Sequence, residues 1–217
     1  MVKIMWNIIH DKNPYDGFEI DESSVYIPIQ HNIFYKIITE FKPQTCLEVG
    51  SWRGASAIHI AELLDTHVYN PLLICVDTWL GSPEHLHMTG VSKKYAEAWG
   101  YKNLRHKHGY PSLYNTFMSN VLEADMQHII VPFPQTSSNA FIFFRRNNIK
   151  FDFIYLDGAH DYKSVVRDLL DCNESLNDGG IILCDDYNLD SVYAAVHDVY
   201  FTKEMCKIDA TKCVIKK

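Results

Sequence analysis

From Thr45 onward the chain alternates between short apolar runs and longer stretches with helical spacing. Runs of strand length cover Thr45–Val49, Leu72–Asp77, His128–Phe133, Phe151–Leu156 and Ile181–Cys184. Between them, Ala55–Leu64 places Ile58, Ala61 and Leu64 on one helical face. Ser138–Asn147, Tyr162–Leu176 and Ser191–Tyr200 also read as helices. Asn177-Asp178-Gly179-Gly180 reads as a turn. Runs that are apolar throughout, such as Ile181-Ile182-Leu183, suit strands buried on both faces. Strands alternating with helices predict an α/β protein with a largely parallel sheet and helices on both sides.

Two segments depart from the alternation. Residues 1–42 precede the first strand as an N-terminal cap, with a helix expected over Gln30–Glu40 and ended by Pro43. Residues 80–127 form a long insertion rich in Tyr, Trp and His, with helices expected near 92–101 and 112–123. An insertion at the carboxyl end of a strand suits a lid or a substrate-binding region. Within it, Tyr95, Trp99, Tyr101, Tyr110 and Tyr114 offer flat faces and His85, His87, His106 and His108 offer polar edges, a surface suited to a sugar or aromatic ring. Cys206–Asp209 and Lys212–Ile215 read as two closing strands, so the 217 residues are expected to form one domain.

Composition narrows the partners. Apolar residues make up 47% and charged residues 22%, the balance of a soluble protein with a core. The formal net charge of −7 argues against a nucleic-acid backbone as partner. The one basic run, Arg105-His106-Lys107-His108, reads as a solvated loop. No stretch approaches the roughly 20 apolar residues needed to span a bilayer, and Met1–His10 lacks a signal-peptide pattern. The six cysteines form no CxxC pair, which argues against zinc. Cys46, Cys75 and Cys184 sit in apolar runs as expected for buried thiols, and a cytoplasmic location fits them.

Four constellations carry chemistry. In Leu47-Glu48-Val49-Gly50-Ser51-Trp52-Arg53-Gly54-Ala55-Ser56 a strand enters a glycine turn and then a helix, which lets a ligand approach the backbone closely. Asp77, closing the next strand in Val76-Asp77-Thr78-Trp79, can accept hydrogen bonds from both ribose hydroxyls of a nucleoside. Asp157-Gly158-Ala159-His160 and Asp185-Asp186-Tyr187 follow two further strands. Parallel strands bring these carboxylates to one sheet edge, where they repel unless protons or a hard cation intervene.

This ordered set resembles the class I S-adenosylmethionine-dependent methyltransferases. The L-D-G-x-H-x-Y and G-G-x-x-x-x-D-D-Y segments resemble, more narrowly, the metal-dependent branch of macrolide sugar O-methyltransferases of the macrocin and mycinamicin kind. There is also a likeness to the methyltransferase module of a large chlorovirus glycan-building protein. The resemblance spans about residues 30–200 and implies a Rossmann-like, three-layer α/β/α fold with a seven-stranded sheet in the order 3-2-1-4-5-7-6. It assigns S-adenosyl-L-methionine to Glu48, Gly50 and Ser51, and also to Gly54 and Ser56. It further assigns the cofactor to Asp77 with Thr78 and Trp79, to the Thr136-Ser137 region, and to Asp157. It implies Mg²⁺ (or Mn²⁺) on Asp157, Asp185 and Asp186, and His160 as base, with Asp157 beside it in catalysis. The acceptor would be a sugar hydroxyl, such as that of a deoxyhexose in a glycan or small glycoside.

Other readings remain on the same residues. A nicotinamide-dependent oxidoreductase shares the sheet but calls for G-x-G-x-x-G, which the turn at Gly50 lacks. A binding module without chemistry would not need Asp157, His160, Asp185 and Asp186 together. Vicinal hydroxyls on a sugar or on a catechol chelate a metal alike, so the motifs leave both acceptors open.

Overall fold

The computed structural model describes residues 1–21, 29–82, 85, 101–200, 205–207 and 211–217; at 101–102 and 205–207 only the backbone is considered. The strands are β1 (Thr45–Val49), β2 (Leu72–Asp77), β3 (Ile130–Pro134), β4 (Phe151–Leu156), β5 (Leu176–Cys184), β6 (Met205–Lys207) and β7 (Cys213–Lys216). They form one sheet in the order β3-β2-β1-β4-β5-β7-β6, as the resemblance implied. β1 to β5 pair in parallel, and β7 runs antiparallel to both β5 and β6.

The helices are α1 (Val2–His10), α2 (Asn32–Phe41), α3 (Ala55–His67), α4 (Leu113–Glu123), α5 (Ser137–Arg146), α6 (Tyr162–Ser175) and α7 (Asp190–Tyr200). Alternate strand residues feed two cores, because successive side chains on a strand point to opposite faces. Leu47, Val49, Ile74, Val76, Ile154, Leu156 and Ile182 pack with Phe141 and Phe144 of α5, Leu169 of α6 and Val196 of α7. Cys46, Leu73, Cys75, Phe153, Tyr155 and Leu183 pack with Phe34 of α2, Ile58 and Leu64 of α3, and Phe117 of α4. Burial on both sides accounts for the unbroken apolar strands. Cys46, Cys75, Cys172, Cys184 and Cys213 are buried. Among the described residues no helix is long and apolar enough to cross a membrane.

Three departures from the sequence reading have physical causes. The N-terminal cap contains α1, which was not expected. Its Val2, Met5, Trp6 and Ile9, at helical spacing, pack on the core, and His10 Nε2 lies 2.6 Å from the carbonyl of Pro132 on β3. The helix expected near 112–123 is present as α4, and it is a core helix on the crossover from β2 to β3. Parallel neighbours require such a crossover. The helix expected near 92–101 lies outside the described residues, apart from a 3₁₀ turn over Tyr101–Leu104. Finally, β5 starts at Leu176, ahead of the expected turn. Leu176 pairs with Phe151 and Ile181 with Phe153, so Asn177–Gly180 bulge outward within the strand. Gly179 has φ +76° there, and Asn177 donates to Asp152 Oδ1 at 2.8 Å.

Candidate active site

The parallel strands end at one edge of the sheet, which is where open α/β sheets bind ligands. Gly50 leaves β1 at φ +88°, and a β-carbon on it would stand 1.9 Å from the carbonyl oxygen of Asp157. The two loops meet so closely that only a bare α-carbon fits. Asp77 fixes the same turn. Its Oδ2 accepts the backbone N–H groups of Ser51 at 3.0 Å and Trp52 at 2.8 Å, and its Oδ1 accepts that of Trp79 at 2.7 Å. Trp52 has φ +47°, and its carbonyl accepts the indole N–H of Trp79 at 2.8 Å. Burial raises the Asp77 pKa, and the amides that bond to it pull the other way.

Beyond Gly50, β4 and β5 deliver Asp157, His160, Asp185 and Asp186. His160 Nε2 lies 3.0 Å from Asp186 Oδ2 and 3.7 Å from Asp157 Oδ1. Asp157, His160 and Asp186 each offer one ligand atom, and these lie within 4.8 Å of one another, a spacing that could hold a metal ion. Desolvation by the cleft walls, above all, pushes Asp157 up to about 6; the His160 hydrogen bond lowers it, while the charges of Asp185 and Asp186 add to the rise. Asp185 sits deeper. Lys212 Nζ lies 2.6 Å from each of its oxygens, and the Tyr155 hydroxyl donates to its Oδ2. The two halves of the edge open into one cleft of about 920 Å³, lined among others by Gly50, Trp52, Asp77, His85, Ser137, Asp157, His160 and Asp186. That volume suits a nucleoside-sized ligand with a second small molecule beside it.

The family described as "Methyltransferase domain" matches residues 47–187, a span that begins in β1 and ends just past Asp186. The chain belongs to this methyltransferase family. No curated protein sequence matches it. Solved structures with the same fold include the O-methyltransferase NovP, at 19% identity over 86% of this chain and 78% of that one, with a TM-score of 0.62. CalS11, a calicheamicin methyltransferase whose apo form is described as a TDP-rhamnose 3′-O-methyltransferase, shares 15% identity over 85% of this chain and 76% of that one, with a TM-score of 0.61. An O-methyltransferase from Bacillus cereus, solved with S-adenosylhomocysteine, covers all of this chain and 97% of its own at 12% identity and a TM-score of 0.57. At these identities the likeness speaks for the fold.

In this methyltransferase the residues expected from sequence fall into two sets. Gly50, Asp77, Thr78, Ser137, Asp157, His160, Asp185 and Asp186 line the cleft. Glu48, Ser51, Gly54, Ser56 and Trp79 do not; they shape the wall from behind. Glu48 is fully buried and accepts a 2.5 Å hydrogen bond from the Ser56 hydroxyl. Burial pushes Glu48 up to about 7; the hydroxyls of Ser51 and Ser56 lower it, and Asp157 and Asp77 raise it. Ser51 acts through its amide, Gly54 opens α3 at φ +86° against the ring of Phe117, and Trp79 packs on Phe117 with ring centroids 4.8 Å apart.

Several residues in or behind the cleft of the methyltransferase were not singled out from sequence. Trp52 stacks on His85 at 4.4 Å and 7°, forming an aromatic wall. Asp168 of α6 is buried beside the cleft; burial pushes it up to about 6, with the Ser137 hydroxyl opposing the rise. Tyr155 and Lys212 reach Asp185. Of the aromatic surface expected in the insertion, His85 lines the cleft, Tyr114 packs on Trp79, and Tyr110 is exposed on the hairpin closed by Lys107 and Tyr110. Tyr95, Trp99 and His87 lie outside the described residues.

Proposed function

We propose that this methyltransferase moves the methyl group of S-adenosylmethionine to a hydroxyl of a sugar, with a divalent cation (Mg²⁺ or Mn²⁺) at the cleft. The observation that carries the reading is one cleft holding both a nucleoside cradle, at Gly50 and Asp77, and an oxygen-rich edge, at Asp157, His160 and Asp186. The residues fit both groups. The cradle is a glycine turn that a β-carbon would fill, with a carboxylate at ribose-binding position. The carboxylates of Asp157 and Asp186 are oxygen donors suited to a hard divalent ion, with the His160 imidazole beside them.

When bound, S-adenosylmethionine supplies a methyl group that is already electrophilic, and a divalent cation lowers the pKa of a hydroxyl it touches. The chain supplies binding, orientation and proton transfer. Asp77 would hold the ribose hydroxyls, and the bare α-carbon of Gly50 would leave room for the ligand at the turn. Asp157 and Asp186 hold the cation. The Trp52–His85 wall orients the acceptor, since a 1 Å misplacement in such a transfer costs much of the rate. His160, as neutral imidazole, takes the hydroxyl proton. Its contact with Asp186 holds the ring and stabilises the imidazolium that forms.

A sugar acceptor is supported by the motif resemblance and by the fold shared with CalS11. The test is a methyl-transfer screen over nucleotide-linked deoxysugars, simple glycosides and catechols, with Mg²⁺ and after exhaustive chelation. Transfer to a sugar hydroxyl that stops on chelation and returns with Mg²⁺ or Mn²⁺ is expected. Catechol turnover alone would contradict the sugar reading, and full activity after chelation would contradict the metal.

A further inference from the structure

We propose that Lys212 is a built-in counter-cation that withdraws Asp185 from the metal shell, leaving Asp157 and Asp186 as the carboxylates that hold the ion. The inference rests on the metal reading of the proposed function and narrows its ligand set.

A carboxylate has about four lone-pair positions, and Asp185 uses that number. Its Oδ1 accepts from Lys212 Nζ at 2.6 Å and from the backbone N–H of Asp186 at 2.8 Å. Its Oδ2 accepts from Lys212 Nζ at 2.6 Å and from the Tyr155 hydroxyl. An ion at Asp185 would have to displace one of these donors. Displacing Lys212 would leave its ammonium, only 4% exposed, buried next to a second cation. Tyr155 is as deeply buried, at 1%. The side chains of Asp157 and Asp186, by contrast, are 32% and 38% exposed toward the cleft.

The fold makes this pairing deliberate. β7 runs antiparallel to β5 with Cys213 opposite Cys184, so the next step along each strand sets Lys212 opposite Asp185. Past the ladder, the Tyr187 amide donates to the Thr211 carbonyl at 2.8 Å and keeps the two segments together. Asp185 then acts as a positioning residue. Its Oδ1 grips the amide of Asp186, which stands at φ +52°, a conformation that costs a non-glycine residue and needs such a hold. Lys212 cancels one of three charges, so the two carboxylates left at the cleft match a divalent ion.

The test is Mn²⁺ binding to the cofactor-free protein, followed by electron paramagnetic resonance, for the wild type, Asp157→Asn, Asp186→Asn, Lys212→Met and the double variant Asp185→Asn/Lys212→Met. The double variant removes both buried charges together, so neither is left unpaired. The expected result is at least tenfold weaker binding for Asp157→Asn and Asp186→Asn, and binding within threefold of wild type for the double variant. Lys212→Met alone should bind Mn²⁺ more tightly, because it frees Asp185; a merely structural lysine would not give that gain. A double variant as weak as Asp186→Asn would make Asp185 a ligand and overturn the inference while leaving the metal reading intact. A wild type that binds no Mn²⁺ would overturn the metal reading and this inference with it.

Discussion

The carbonyl oxygen of Asp157 stands 1.9 Å from where a β-carbon on Gly50 would lie, so the glycine turn after β1 and the acidic loop after β4 are built against each other. Gly50→Ala must move one of them, and the contact is backbone, which has no rotamer by which to escape. The alanine would also sit at φ +88°. We expect a loss of roughly 2 kcal/mol or more in stability, measured by chemical denaturation, together with loss of S-adenosylhomocysteine binding. A variant as stable as wild type would mean the two loops are not coupled in this way.

Glu48 gives a pH prediction. Its pKa in the folded chain is about 7 against an ordinary 4.5. Between those values the folded state keeps a proton that the unfolded chain releases, so stability falls as pH rises through that window. Above about pH 7 the buried carboxylate costs up to roughly 3 kcal/mol. Glu48→Gln should therefore gain stability over wild type at pH 8, and the gain should shrink on acidification toward pH 4.5. Denaturation curves at the two pH values check this; a gain that does not depend on pH would contradict it.

The strands and the chemistry at their ends were legible because each end carries its own mark. Gly50, Asp77, Asp157 and Asp185 close runs whose apolar character follows from burial on both faces, and β1, β2 and β4 match their expected bounds. Two features were hidden for different reasons. Helix α4 carries a buried polar trio, Thr116, Ser119 and Asn120, among its apolar residues, so a helix near 112–123 is legible while its place in the core is not. Lys212 reaches Asp185 only through the β5–β7 register, and no local spacing reports a pairing across strands. Glu48, which the family resemblance assigned to the cofactor, is turned by strand alternation inward toward Ser56.

His160 is the group whose removal should change rate and little else. His160→Ala should lower single-turnover methyl transfer by roughly 10²–10⁴-fold at saturating cofactor, metal and acceptor. Because only neutral imidazole accepts a proton, wild-type activity should rise with pH through the ionisation of His160, and that limb should vanish in the variant. A rate and pH profile close to wild type would take the base role away from His160.

The central claim, that this methyltransferase binds its methyl donor in the Gly50–Asp77 cradle, is tested most directly by calorimetry with S-adenosylhomocysteine. Asp77→Asn keeps one oxygen for the turn amides but loses the charge that strengthens hydrogen bonds from ribose. The account predicts one site per chain in wild type and binding weaker by about 1–3 kcal/mol in Asp77→Asn. No binding by wild type, or equal affinity in a folded Asp77→Asn, would contradict it.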